Sequence, residues 1–284
     1  MKPVPRSAFV LSLIVAALAT AISLTTLVWD GSYPAPSPAP PVNRMLAETR
    51  GYCAATLFVV VPLTLLSLRA ACRGSIRGRL VWTGSLAYFV YTYLEFAVSP
   101  PFTALYLLYV AAFACAIPAL IVGVASIDVT KLQETFGLRI PRRAIATLCL
   151  LLAVVLALVW LKDIVGRSLA GMFGWPAGAD AVGHVVHALD LGLQVPLGIA
   201  AGALLLQRRP AGDLVAAIML VNSICMGAAL TAMVAWPAAA SGASVCSAWP
   251  FAVAWFIVIA FAVAFFRRGT NAAGGAVATV ASSW

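Results

Sequence analysis

Long apolar runs alternate with short polar connections along the whole chain. Eight runs are long enough to cross a bilayer, and their boundaries are 7–29, 51–70, 80–98, 102–124, 144–165, 182–206, 212–235 and 249–266. Crossing the hydrocarbon core takes about 20 residues of helix, because each residue advances about 1.5 Å along the axis. The pattern predicts an all-α integral membrane protein with eight transmembrane helices.

The connections are too short to hold a soluble domain. Residues 31–42 are rich in proline, which predicts an extended spacer, and residues 125–143 are predicted to hold one short amphipathic helix. Residues 269–284 are small and polar, which predicts a disordered cytoplasmic tail. We therefore treat residues 1–268 as one transmembrane domain.

The first run also resembles a secretory signal peptide, with a basic start and Ala19-Thr20-Ala21 as a cleavage site. Its apolar part continues to Trp29, which is longer than the roughly 7–15 residues of a signal peptide. We therefore expect this run to remain as the first span. Cleavage would leave seven spans without changing the orientation of the others.

Composition agrees with the apolar pattern. Hydrophobic residues make up 63% of the chain and charged residues 10%, whereas soluble domains average roughly 45–50% and 25%. This balance excludes a soluble protein. The six cysteines form no CxxC pair, so neither a zinc ribbon nor a thioredoxin-type motif is present.

The positive charges predict the orientation. Of the 18 lysines and arginines, all but Arg44, Arg50, Lys162 and Arg167 fall on one side of the eight-span topology. Basic residues concentrate on the cytoplasmic side of membrane proteins, so both termini are predicted to be cytoplasmic. The net charge of +9 is thus explained by topology, and no nucleic-acid partner is expected.

Short motifs recur in the same order in residues 1–124 and 144–268. Leu-Val-Trp at 27–29 returns at 158–160, and Val-Pro-Leu at 61–63 returns at 195–197. This order predicts a parallel repeat of four plus four helices, related by an axis along the membrane normal. The alternative is that tryptophan, proline and other aromatic residues simply mark the ends of spans.

Span six carries the most distinctive polar group. On a helix, Asp180, His184, His187 and Gln194 lie along one side with Asp190 at its edge, and the two histidines are the only ones in the chain. Such a set suits proton transfer or, with a further carboxylate, binding of Zn²⁺, Cu²⁺ or Ni²⁺. No third histidine and no HExxH motif support a metal, so His184 and His187 are weak candidates. The alternative is helix capping and packing.

Span three brings a carboxyl group and tyrosines to one face. Tyr88, Tyr91 and Glu95 are spaced i, i+3 and i+7, and Tyr106 of span four is expected to line the same region. An acidic residue inside a bilayer usually faces the bundle interior and has a polar partner. The alternative for Glu95 is that its carboxylate reaches the interface along its own side chain.

Lys162 and Asp163 end span five. Their simplest role is anchoring at the membrane interface, and the alternative is that Lys162 pairs with Glu95 or Asp190. We include both residues among the pocket candidates.

Several enzyme signatures are missing, including a P-loop, GxSxG and GxGxxG. The first hypothesis is a transporter-like protein, or a sensor of a small ligand or proton, with an outward-facing polar pocket and no enzymatic activity. A membrane-embedded metal-dependent enzyme and a structural subunit of a membrane complex are the alternatives. No cofactor is expected, the bilayer is the expected partner, and the oligomeric state stays open.

Aromatic positions in spans three and four follow Gly84-x-x-x-Tyr88-x-x-Tyr91-x-Tyr93 and Phe102-x-x-x-Tyr106-x-x-Tyr109. Together with Asp190-Leu191-Gly192, Pro196 and Arg208-Arg209-Pro210, this pattern resembles uncharacterised multi-pass membrane proteins from bacteria. The resemblance implies a location in the bacterial inner membrane. It implies no activity and no site residues.

Overall fold

The computed structural model describes residues 3–33, 44–99, 102–136, 141–172 and 181–267, and these residues form helices joined by short connections. The helices are α1 (Arg6–Val28), α2 (Arg44–Cys72), α3 (Ile76–Val98), α4 (Tyr106–Ala125), α5 (Val129–Phe136), α6 (Arg142–Met172), α7 (Ala181–Leu189 continuing through Val195–Leu206), α8 (Pro210–Ala240) and α9 (Trp249–Arg267). Two short 3₁₀ turns, Asp30–Ser32 and Val245–Ala248, precede α2 and α9. The helical class is confirmed, and α5 is the short helix expected between the fourth and fifth spans.

Seven described helices, α1, α2, α4, α6, α7, α8 and α9, are long and apolar enough to cross a membrane. The remaining long helix, α3, has 23 residues but carries Arg77, Arg79 and Glu95. It is also the most enclosed helix, with Trp82 and Tyr88 fully buried. A helix surrounded by protein needs less apolar surface than one facing lipid, which explains why α3 stands apart from the seven.

Helices α2 and α7 each contain one widened turn immediately before a proline. The π-helical turns are Thr56–Val60 before Pro62 and Asp190–Gln194 before Pro196. In each, the backbone N–H of the residue after the turn bonds to the carbonyl five residues earlier. Proline lacks an N–H and its ring crowds the preceding turn, which favours the wider bonding pattern, although α4 contains Pro118 without such a turn.

Helix α8 contacts more of the long helices than its neighbours do. Helix α8 packs against α2, α3, α7 and α9, while α3 also packs against α2 and α4. A Cβ atom at Gly51 would lie 2.2 Å from the carbonyl oxygen of Ala232, and one at Gly84 would lie 2.4 Å from Cβ of Val221. Helix α8 therefore approaches α2 backbone against backbone at Gly51, and the side chain of Val221 packs directly on the backbone of α3 at Gly84.

Helices α6 and α7 pack against each other at the edge of the bundle, and α7 also packs against α8. A Cβ atom at Gly202 would meet Leu150 at 2.6 Å, and one at Gly198 would meet Ala153 at 3.1 Å. These glycines fit α7 closely against α6. The first segment of α7, Ala181–Leu189, touches α3 over a much smaller area than α8 touches α2.

An ion pair joins the first turns of α6 and α8. Arg142 donates from Nε and one terminal nitrogen to the two carboxylate oxygens of Asp213, at 2.9 and 2.6 Å. The carboxylate of Asp213 is fully buried. We call this the arginine-rich end of the bundle, since Arg69, Arg73, Arg77, Arg142, Arg143, Arg208, Arg209 and Arg267 all lie there.

Candidate functional site

Asp190 joins three helices through its carboxylate. It is the first residue of the widened turn in α7, and it is 8% exposed. Tyr91 of α3 donates its hydroxyl to one carboxylate oxygen at 2.6 Å, and Trp160 of α6 donates its indole N–H to the other at 2.8 Å. One acidic side chain thus connects α7 to both the edge helix α6 and the central helix α3.

His187 lies one turn before Asp190 and bonds to α6. Its Nε2 atom is 3.2 Å from Oδ2 of Asp163, and its ring meets the indole of Trp160 edge-on with centroids 4.4 Å apart. Arg167 donates from Nε to the same oxygen of Asp163 at 2.9 Å. His187 is 5% exposed while the side chain of Asp163 is 37% exposed, so the polar contacts extend from the surface inward.

Glu95 of α3 is a second acidic residue close to Tyr91 and Asp190. It is half-buried, one turn beyond Tyr91, and lies within electrostatic range of Tyr91 and Asp190. Within the described part of the chain its carboxyl group has no hydrogen bond. We define the Asp190 cluster as Tyr91, Glu95, Trp160, Asp163, His187 and Asp190.

Tyr88 lies on α3 but faces α2. Its hydroxyl is 2.6 Å from the hydroxyl of Thr56, and its ring stacks on Tyr52 with centroids 6.1 Å apart. Thr56 is the first residue of the widened turn in α2, as Asp190 is in α7. Helix α3 therefore presents one tyrosine hydroxyl to each widened turn. Tyr88 contacts the turn in α2, so it is not part of the Asp190 cluster.

Three other candidates lie apart from the cluster. Lys162 and His184 are exposed, and Lys162 pairs with neither Glu95 nor Asp190. Tyr106 is half-buried and packs its ring on Phe102, with centroids 4.3 Å apart. Lys162 and His184 lie on helices as predicted, but their side chains are exposed and do not join the cluster. Asp180 lies outside the described residues.

Sequence reasoning overlooked Trp160 as a site residue. In the sequence it is part of the recurring Leu-Val-Trp motif, and in the structure its indole N–H is bonded to Asp190. The equivalent Trp29 in the first half is 47% exposed, so the motif alone does not reveal the difference. One sequence feature could have indicated Trp160: it lies three residues before Asp163, so both side chains are on the same face of one helix.

A second polar contact joins α7 and α8 near the cluster. The side-chain amide of Asn222 donates to the amide oxygen of Gln194 at 3.3 Å. Gln194 ends the widened turn that Asp190 begins. Both ends of this turn therefore bind polar side chains of neighbouring helices.

The described residues contain no group of three or more histidine, cysteine, aspartate or glutamate side chains placed to hold a metal ion. His187 and Asp163 supply one nitrogen and one oxygen ligand, and the exposed His184 lies apart from them. Two clefts, of about 520 and 390 Å³, lie at the arginine-rich end and not at the Asp190 cluster.

Comparison of the chain with protein-family models, with curated proteins and with solved structures finds no match. The site is therefore described from its own geometry. That geometry combines a surface-accessible carboxylate, a histidine, a buried carboxylate and a tyrosine in one continuous group.

Proposed function

We propose that the protein is a transporter-like or proton-sensing membrane protein of the bacterial inner membrane, without enzymatic activity, whose Asp190 cluster faces the outside. In this proposal the chain spans the membrane eight times with both termini in the cytoplasm. Proton binding at the cluster controls how tightly α3 and α7 associate, and a small polar ligand enters between them.

The topology draws its support from α3 and from the charges. Helix α3 is long enough to span, lies among α2, α4 and α8, and has the low hydropathy expected of an enclosed helix. Counting it gives eight spans and leaves the arginine-rich end on one side of the membrane. Such a concentration of arginine is typical of the cytoplasmic side.

The widened turns support the four-plus-four repeat. They begin at Thr56 and Asp190 and precede Pro62 and Pro196, so the same irregular backbone returns after 134 residues. Helices α3 and α8 begin at Ile76 and Pro210, with the same offset. A shared irregular feature is stronger support for a repeat than shared Leu and Val residues are. Sites in such proteins commonly lie between the halves.

The two halves carry different chemistry at equivalent positions. Under the repeat, Thr56 corresponds to Asp190, and Cys53 corresponds to His187. The first half has an ion pair of its own, between the carboxylate of Asp30 and the guanidinium group of Arg50, which joins the end of α1 to α2. Arginine stays charged at every physiological pH, whereas histidine titrates between about pH 5 and 8. The histidine of the cluster therefore belongs to the second half, while Glu95 of the first half faces it.

The observation that carries the proposal is the sharing of the Asp190 carboxylate between Tyr91 and Trp160. A carboxylate accepts both bonds at once, and a proton on either oxygen replaces an acceptor by a donor. The indole N–H of Trp160 can only donate, so protonation of Asp190 removes or rearranges one of the two bonds. The site thus senses protonation through its hydrogen bonds.

The unequal contacts between the halves explain how this change would reach the rest of the protein. Helix α8 fits closely against α2 and α3, while α7 meets α3 over a small area in which the bond from Tyr91 to Asp190 is a main polar contact. Loosening that bond would separate α7 from α3 while the α8 contact holds. Small shifts between packed helices of this kind are typical of switching proteins.

Fluorescence of Trp160 tests the proposal, because its indole touches both Asp190 and His187. Purified protein in nanodiscs is titrated from about pH 8 to pH 5, and the spectrum of Trp160→Phe is subtracted to isolate the signal of this residue. We expect a sigmoidal change that is lost in His187→Gln and Asp190→Asn. His184→Gln is the matched control, since His184 is exposed and should leave the titration unchanged.

A flat titration, or equal loss in His184→Gln, would reject the proton-sensing proposal and favour the structural subunit. The metal-dependent alternative needs a further ligand beside His187 and Asp163. Metal analysis of natively purified protein tests it, since one equivalent of bound zinc, copper or nickel that is lost in His187→Gln would support the enzyme.

A further inference from the structure

A cleft of about 390 Å³ opens between the halves at the arginine-rich end, far from the Asp190 cluster. Its walls come from α2 and α3 on one side and from α8 and α9 on the other. Its lining is apolar apart from two arginines, Arg77 at the start of α3 and Arg267 at the end of α9. Among the described residues that line it, none is acidic.

The arrangement of these residues along the helices gives the cleft a polar mouth and an apolar interior. Both arginines are at the ends of their helices, and Arg77 is half-buried while Arg267 is exposed. Val81 lies one turn deeper than Arg77, and Ile259 lies eight residues from Arg267, about 12 Å along the helix. One leaflet of the hydrocarbon core is about 15 Å thick, so the cleft extends through most of one leaflet.

The positive charge continues beside the cleft. A neighbouring cleft of about 520 Å³ is lined by Arg69 and Arg73 together with Leu66. The buried acidic group at this end, Asp213, is already paired with Arg142. Asp128 accepts backbone N–H bonds at the start of α5. An anion at the mouth would therefore meet a lining whose described residues include two arginines and no acidic residue.

We propose that this cleft binds one anionic phospholipid, with its phosphate between Arg77 and Arg267 and an acyl chain along Val81, Val263 and Ile259. Guanidinium groups bind phosphate through paired N–H bonds, and basic pockets between transmembrane helices are suited to anionic headgroups. The apolar wall distinguishes a lipid from a free phosphate, which would use only the arginines. The lipid contacts both halves at the end opposite the proton-sensing cluster, so it would stabilise their association independently of pH.

Native mass spectrometry of the full chain tests the proposal by comparing retention of phosphatidylglycerol with that of phosphatidylcholine. We expect tighter binding of phosphatidylglycerol, reduced about fivefold in Arg77→Gln and about 25-fold in the double variant with Arg267→Gln. Arg77→Lys keeps the charge but loses the paired geometry and should fall between native and Arg77→Gln. Arg209→Gln, an exposed arginine at the same end that does not line the cleft, is the matched control.

A second variant tests the acyl-chain part and does not depend on charge. Val263 is 39% exposed and lines the cleft, so Val263→Phe should fill it at the surface with little effect on folding. We expect this variant to weaken phosphatidylglycerol binding several-fold. Equal binding of the two lipids would overturn the proposal. So would an equal loss in Arg209→Gln, which shows diffuse attraction only, or displacement of the lipid by millimolar inorganic phosphate with no effect of Val263→Phe.

Discussion

The hydrogen bond between Tyr91 and Asp190 should contribute a measurable coupling energy between α3 and α7. The bond is short, 2.6 Å, and both side chains are at least nine-tenths buried. Hydrogen bonds to charged groups contribute about 1.5–3 kcal/mol in soluble proteins, while interhelical bonds in membranes average about 0.6 kcal/mol and reach about 1.7 kcal/mol. We therefore expect a coupling energy of about 1–2 kcal/mol.

A double-mutant cycle measures this quantity directly. Tyr91→Phe, Asp190→Asn and the combined variant are unfolded reversibly in mixed micelles by titration with a denaturing detergent. The sum of the two single effects should exceed the effect of the double variant by the coupling energy, because Tyr91→Phe removes the donor and Asp190→Asn removes the negative charge of the acceptor. Both substitutions keep the approximate size of the side chain, so cavities contribute little.

Tyr88 supplies the matched control for this cycle. It is a buried tyrosine on the same helix, but its hydroxyl bonds to Thr56 of α2. Tyr88→Phe combined with Asp190→Asn should be additive within about 0.5 kcal/mol, as expected for residues with no shared partner. A coupling below about 0.3 kcal/mol for Tyr91, or an equally large one for Tyr88, would refute the assignment of the bond as the link between α3 and α7.

Further predictions concern the contacts that hold the bundle together. Arg142→Gln leaves the carboxylate of Asp213 buried with no cationic partner, and it should lower the free energy of unfolding by about 3–5 kcal/mol in the same detergent titration; a loss below 1 kcal/mol would show that this carboxylate is neutral or hydrated. Gly51→Ala places a methyl group 2.2 Å from the carbonyl oxygen of Ala232, and it should lower the free energy of unfolding by about 1–3 kcal/mol. Gly192→Ala is the control and should have little effect, because no atom lies within 4 Å of the added methyl group. Equal effects of the two glycine substitutions would contradict the close approach of α2 and α8.

The long helices were predictable because a run long and apolar enough to cross a bilayer also defines a long apolar helix. The predicted runs 7–29 and 249–266 match α1 and α9 to within a residue. Helix α2 begins seven residues earlier than the predicted run 51–70, at Arg44, because its polar first turns continue the helix beyond the apolar run. Hydropathy detects the apolar core of a helix but not its polar ends.

The site was predictable only in part, because spacing gives the side of a helix but not which neighbour faces it. The three-residue spacing of His184 and His187 suggested one site, yet one is exposed and the other bonds to Asp163. Tyr88 and Tyr91 shared a predicted face, but α3 lies between α2 and α7 and presents one hydroxyl to each. Which of two neighbours a central helix meets depends on tertiary packing, and no local pattern contains that information.

The widened turns show the same limit. Pro62, Pro118 and Pro196 all lie within long helices, but a widened turn precedes only Pro62 and Pro196, and α4 continues through Pro118 as a regular α-helix. The sequence could not show that the freed backbone would place Thr56 and Asp190 against tyrosines of the same helix. That result follows from the position of α3 between the two turns.

The most direct test of the central claim is the distance between α3 and α7 as a function of pH, measured by pulsed electron paramagnetic resonance in nanodiscs. Spin labels replace the exposed Val98 and His184, after the exposed Cys72 and Cys246 are changed to serine. We predict a longer distance at about pH 5 than at about pH 8, and the longer distance at both pH values in Asp190→Asn, which resembles the protonated carboxyl. An unchanged distance in the native sequence, or a normal pH response in Asp190→Asn, would contradict it.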